Sequence, residues 1–232
     1  MRQLPDQSFN SSESAADPNS QDPHAELRSL LKRLWMPLSR PWFRLNMVLT
    51  SKNQIVGPDG SSKSISSVND RVLLGVIRGY SDAILVGATT SRNELIASEK
   101  SKPILVLTSS GDVDLGRLSP GSRIVAPVGS KAAEMPNAIT FLATANPTES
   151  SQNLRNTLLE LGFENVVCEG GAETAMWLIQ SGFFDELAIT RSPKVGAGQS
   201  YDFGLENWDI GLDLPDPEGF HYQRLTPKQQ ID

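Results

Sequence analysis

The sequence predicts an α/β fold: a mainly parallel central sheet covered by helices on both faces, three layers in α/β/α order, with antiparallel strands at its C-terminal edge. Three observations point there. Short apolar runs alternate with segments of helical period, the pattern of a parallel sheet. Ala83 to Val86 is apolar without a break, as a strand buried on both faces must be. Residues 166 to 177, Val-Val-Cys-Glu-Gly-Gly-Ala-Glu-Thr-Ala-Met-Trp, carry a strand across two glycines straight into a helix.

In chain order, residues 1 to 23 are rich in Ser, Asp, Asn, Gln and Pro and have little to bury, so they read as a disordered or surface-draped tail. Residues 24 to 39 hold Leu27, Leu30, Leu31 and Leu34 at helical spacing before Pro37, a short amphipathic helix that docks on the domain after it. That domain spans 40 to 232. Phe43, Leu45, Met47 and Leu49 alternate as a strand, and a polar loop with Gly57, Pro58, Asp59 and Gly60 comes next. Ser67 or Asn69 caps a helix that buries Val72, Leu73, Val76 and Ile77 and ends at Gly79. After the strand Ala83 to Val86, Gly87-Ala88-Thr89-Thr90 forms a corner. Further strands are expected at 104–108, 123–127, 138–142, 165–168, 186–191 and 219–225, the last with Phe220 and Tyr222 on one face. Helices are expected at 149–161, stopped by Gly162, and at 172–181.

A chain of 232 residues accommodates one such domain with a tail. The formal net charge of −6 offers no basic face to nucleic acid or anionic lipid, and no apolar stretch approaches the roughly 20 residues that cross a bilayer. Neither nucleic acid nor membrane is an expected partner. One cysteine, Cys168, cannot form an internal disulfide and reads as a small buried hydrophobe. A cytoplasmic location is expected. Two histidines and one cysteine make neither a metal centre nor a histidine-based triad, and the zinc deaminase signature is absent. Chemistry then falls to a bound nucleotide. The turn at Gly170 and Gly171 suits a phosphate, because backbone N–H groups and the positive end of a helix dipole converge where no Cβ intrudes. A plain tight connection is the other reading of the same turn.

Seven segments carry a family likeness: Arg40 to Met47; the loop Asp59 to Ser66; Arg78; Ser81 to Thr90; Val106 to Ser109; Glu169-Gly170-Gly171; and Asp185-Glu186-Leu187 before Pro193-Lys194. In this order, over about residues 40 to 225, the chain resembles the pyrimidine reductase of riboflavin synthesis. That enzyme is the C-terminal reductase domain of the bifunctional deaminase-reductase and has a dihydrofolate-reductase-like fold. The resemblance implies NADPH as cofactor, hydride transfer to C1 of a ribosylamino group on a small pyrimidine (5-amino-6-(5-phosphoribosylamino)uracil), and a homodimer. It places cofactor contacts on Val48, Ser64, Gly87, Ala88, Thr90, Ser109, Gly170, Gly171, Ala172, Glu173 and Thr174. Substrate contacts fall on Ser62, Arg78 and Glu169. Arg78 suits a phosphate through a bidentate fork, or serves as a cation at a helix C-terminus. Glu169 is the expected catalytic residue, bonding sugar hydroxyls or assisting proton transfer, or else it sits in a local salt bridge.

The chain departs from the family in three places. Thr50-Ser51-Lys52-Asn53-Gln54 stands where many members have Ser-Leu-Asp-Gly-Lys. Ser64 stands where a Trp is common. Ser91-Arg92-Asn93-Glu94-Leu95-Ile96-Ala97 replaces a segment with Asp-Asp-Pro and a later arginine, for which Arg92 is the candidate substitute. Two alternatives stay open: the same fold reducing a pterin-like or other heterocycle, and a catalytically silent homodimeric binding module.

Overall fold

In the computed structural model, residues 22–93 and 102–228 are described. Residues 1–21 of the expected tail, and Glu94 to Ala97 of the segment that departs from the family, lie outside them. The strands are β1 (Trp42–Thr50), β2 (Ala83–Gly87), β3 (Ile104–Leu107), β4 (Arg123–Pro127), β5 (Ile139–Phe141), β6 (Asn165–Cys168), β7 (Glu186–Ser192), β8 (Trp208–Pro215) and β9 (His221–Pro227). The helices are α1 (Ala25–Leu34), α2 (Val68–Tyr80), α3 (Ala88–Asn93), α4 (Pro147–Glu160) and α5 (Ala172–Gln180).

All nine strands form one sheet in the order β5-β4-β3-β2-β6-β1-β7-β9-β8. Pairing is parallel from β5 through β7 and antiparallel along β7-β9-β8. Helices cover both faces, which is why the central strands read as unbroken apolar runs. Leu45, Leu85 and Leu187 face a core shared with Leu154 and Leu158 of α4 and Ala175 and Leu178 of α5. Ile84, Val86, Ile104 and Val106 face the other side and pack on Leu31 of α1 and Val72, Leu73, Val76 and Ile77 of α2. Cys168 is fully buried, and burial pushes its thiol up to about 12, so it behaves as a small hydrophobe.

Helix α1 is fastened at its C-terminal end. Arg44 Nη2 donates to the carbonyl of Trp35, and Arg224 donates to those of Leu34 and Met36. Both guanidiniums are neutralised by Glu186, at 2.6 Å each, and Glu186 has no exposure to solvent. Such a cluster is favourable only because every buried charge in it has a partner.

Several boundaries differ from those expected by a residue or more, three of them for reasons visible in the contacts, and one strand was not expected. Helix α2 runs through Gly79 to Tyr80, because Gly79 keeps a helical backbone and the chain turns away only at Ser81. Asn146 caps α4 by accepting the N–H groups of Thr148 and Glu149, so that helix begins at Pro147 rather than Glu149. Gly219 and Phe220 belong to a turn closed on Asp216, and β9 starts at His221. Strand β8 is absent from the expected elements. It lies at the sheet edge with only Trp208 buried and a register shift at Gly211, although Trp208, Ile210, Leu212 and Leu214 alternate with Asp209, Gly211 and Asp213 as a strand should.

Candidate active site

Two clefts meet at the C-terminal ends of the parallel strands, where open α/β sheets place ligands. The outer cleft has a volume of about 780 Å³ and the inner one about 440 Å³, and Ile55, Val56, Thr90 and Gly171 line both.

The outer cleft is made largely of backbone and small side chains. Gly170 and Gly171 take φ of 98° and 60°, a region where a Cβ is strained, and α5 begins at the next residue. Its N-terminus has no side-chain cap, whereas α2 and α4 are capped by Ser67 and Asn146. An uncapped helix start leaves its first N–H groups for a ligand. The neighbouring corner fits against it closely. Gly87 N–H donates to the Gly170 carbonyl at 2.8 Å, and a Cβ on Gly87 would stand 2.5 Å from Thr174 Oγ1. A Cβ on Gly171 would stand 3.2 Å from Thr90 Oγ1. Glu173 is the one charged side chain on the walls of this cleft among the described residues.

The inner cleft carries five charged side chains on its walls. Arg78, near the end of α2, donates from Nε and Nη2 to the two carboxylate oxygens of Glu169, each at 2.6 Å. Both side chains are largely shielded, 14% and 10% exposed. Asp70, in the first turn of α2, accepts from Ser66 Oγ and Thr190 Oγ1, each at 2.6 Å. Burial nevertheless raises its carboxyl above the ordinary range for aspartate. Lys63 and Arg71 complete the charged part of this wall.

The expected site residues divide between these clefts. Gly87, Ala88, Thr90, Ser109, Gly171, Ala172, Glu173 and Thr174 line the outer one. Val48, Ser62, Arg78 and Glu169 line the inner one. Gly170 lines neither and contributes through its conformation and its carbonyl. Ser64 also lines neither. Its hydroxyl contacts Asp59 Oδ1 at 2.5 Å and the Ser61 carbonyl at 2.9 Å, ordering its own loop. It also stands where a Cβ on Gly57 would be.

In the substituted segment, Lys52 and Gln54 line neither cleft; Gln54 reaches the Gly198 carbonyl at 3.0 Å. Arg92 is held by Asp112, through both its carbonyl and its carboxylate. Trp177, Tyr201 and Phe141 line the outer cleft and Asp70 the inner one, and sequence reasoning named none of them for the site. Trp177 had a signal: Gly171, Thr174 and Trp177 recur every three residues and so share one side of α5. Asp70 had none, because an acid in a first helical turn is ordinary.

A model of the family described as the RibD C-terminal domain matches residues 41–209. A curated relative, the riboflavin biosynthesis protein RibD of Aquifex aeolicus (strain VF5), is 25% identical over 200 residues. The match covers 75% of this chain and 52% of that protein, so the chain spans about half the relative's length. Among solved structures, a pyrimidine reductase-like protein from Corynebacterium diphtheriae superposes with a TM-score of 0.61 at 16% identity, covering 82% of this chain and 93% of that one. The riboflavin biosynthesis reductase of Saccharomyces cerevisiae gives 0.61 at 15% identity, covering 90% and 100%. A dihydrofolate reductase from Enterococcus faecalis, complexed with NADP(H), gives 0.51 at 11%, covering 82% and 98%. The fold is thus dihydrofolate-reductase-like.

Proposed function

The chain belongs to the RibD C-terminal domain family, and from that premise we propose that it is a reductase that transfers hydride from NADPH to a pyrimidine intermediate of riboflavin biosynthesis. The intermediate is of the 5-amino-6-(5-phosphoribosylamino)uracil type, and the ribosyl group becomes ribityl. The observation that carries this reading is the uncapped start of α5 behind two positive-φ glycines, at the wall the two clefts share. A diphosphate there meets backbone N–H groups and the helix dipole, with room kept by the missing Cβ atoms of Gly87 and Gly171.

The cofactor supplies the hydride; the protein positions and excludes water. Trp177, Phe141 and Tyr201 offer apolar surface to the rest of the dinucleotide along the outer cleft. In the inner cleft, Glu169 presents carboxylate lone pairs to sugar hydroxyls while Arg78 fixes its orientation through two bonds. The same reading includes a homodimer, which light scattering tests, and a cytoplasmic location. Among the described residues no helix is long and apolar enough to cross a membrane.

Titration with NADPH, followed by tryptophan fluorescence, is the direct test because Trp177 lines the outer cleft. Saturable quenching is expected, with oxidation of NADPH once the pyrimidine is added. No quenching at millimolar cofactor would overturn the reading. Turnover of a pterin in place of the pyrimidine would move the substrate and keep the cofactor.

A further inference from the structure

The arginines shielded from water obey one rule, and Arg191 breaks it. Among residues whose side chains are described, Arg28, Arg44, Arg78, Arg155 and Arg224 are all at least partly shielded, and each meets a carboxylate. Arg191, at the end of β7, is likewise partly shielded, yet the group it meets is an amide: Nη1 donates to Asn53 Oδ1 at 2.7 Å. Burial lowers its pKa, and among the described residues no carboxylate forms a salt bridge with it. Asp213, on the nearby β8, is engaged by His221 Nδ1 at 3.0 Å and Gln223 Nε2 at 3.3 Å.

Arg191 opens onto a hollow of about 410 Å³ lined also by Ser51, Asn53, Ser192, Pro193 and Gly219. This hollow shares no lining residue with either cleft. The hydroxyl of Ser192 is committed, donating to the Ile65 carbonyl at 2.6 Å, and Asn53 gives its Oδ1 to Arg191, so Arg191, Ser51 and the Asn53 amide nitrogen are the side-chain donors on this wall. A guanidinium has five donors in a planar fork that matches two oxygens of one anion, and partial desolvation strengthens such a bond.

We propose that this hollow binds a small oxyanion, a carboxylate or phosphate group, through Arg191 with Ser51 at its rim. The site is separate from the dinucleotide and substrate clefts and does not depend on the function proposed for them.

Backbone amide NMR shifts of Ser51, Asn53, Ser192 and Gly219 test it, with inorganic phosphate and acetate titrated separately into the full chain. At least one anion should move these amides along a saturable curve at millimolar concentration. Arg191→Gln should weaken that binding at least tenfold, and Arg191→Lys should retain part of it. Saturation by phosphate alone assigns a phosphate ligand, by acetate alone a carboxylate, and by both a site selective for charge only. Linear, unsaturated shifts with both anions would overturn the proposal, as would equal saturation in Arg191→Gln with an unchanged melting temperature. If Arg191→Gln does not fold, unaltered saturation in Arg191→Lys and in Ser51→Ala together would do the same.

Discussion

The outer and inner clefts share a wall but are made of different material. The outer one takes its polar groups from the main chain, at the start of α5, and keeps its space by omitting Cβ atoms at Gly87 and Gly171. The inner one takes its polar groups from side chains already bonded to one another: Arg78 to Glu169, and Asp70 to Ser66 and Thr190. A backbone cradle tolerates most substitutions and fails at its glycines. A network of charges fails at any member, because each loss leaves a partner unsatisfied. The two clefts should therefore break separately.

The largest effect is expected at the glycine turn. Gly171→Asp puts a carboxylate beside the diphosphate position and a Cβ 3.2 Å from Thr90 Oγ1, on a backbone with φ of 60°. Loss of NADPH affinity of about 100-fold or more, roughly 2.7 kcal/mol, is expected in the fluorescence titration. With φ of 60° and ψ of 133° the residue lies outside the left-handed helical well, so the substitution also costs about 1 to 3 kcal/mol of backbone strain and affinity is read on the folded protein. Unchanged affinity in the folded variant would erase the distinction between the clefts.

Arg78→Ala ranks second. It strands Glu169 at a mostly shielded position and should lower stability by about 1 to 3 kcal/mol, below the value for a fully buried pair because the cleft admits water. The substrate KM should rise about tenfold while NADPH affinity changes less than about twofold, if the inner cleft alone is damaged. Adding Glu169→Gln should recover part of the stability, which denaturant unfolding of the single and double variants measures. Equal loss of cofactor and substrate binding would show that the Arg78–Glu169 pair supports both clefts.

That division also separates what was legible in the sequence from what was not. The Gly170-Gly171 turn and the central strands were readable because glycine punctuation and unbroken apolar runs are local signals. Whether Arg78 and Glu169 meet was not readable. They are 91 positions apart, and their contact depends on α2 crossing the end of β6. Ser64 was placed by likeness alone, yet its hydroxyl turns back into its own loop. Strand β8 was legible in the alternation of Trp208, Ile210, Leu212 and Leu214 with Asp209, Gly211 and Asp213, but was passed over because Gly211 and the Pro-Asp-Pro run after Leu214 read as loop. The Arg44–Glu186–Arg224 cluster was equally silent, since each member looks like an ordinary strand charge.

A smaller effect sharpens the inner cleft. The Asp70 carboxyl is raised by burial in the folded protein, so the unfolded chain gives up its proton first as pH rises. Asp70 therefore favours folding at the acid end and loses that contribution as pH climbs from the ordinary aspartate value, about 3.9, through the raised folded value. Asp70→Asn should flatten this part of the stability profile in urea titrations at stepped pH. An unaltered slope would show that the Asp70 carboxyl is matched in the unfolded chain.

The smallest expected effect belongs to the outer cleft and has two opposite signs. Glu173 lies in the first turn of α5, where a negative charge stabilises the helix by about 0.3 to 1 kcal/mol. It also lines the cleft proposed for a diphosphate, where the same charge repels the ligand. Glu173→Gln should thus lower the melting temperature slightly while tightening NADPH by about two- to fivefold at low salt. The gain in affinity should shrink as ionic strength rises, because charges separated by more than about 10 Å are largely screened at 0.1 M. A backbone cradle predicts this split, since removing a side chain there takes away no bond to the ligand. If Glu173→Gln instead weakens NADPH, the outer cleft holds its dinucleotide through that side chain, and the contrast in material between the two clefts fails at this residue.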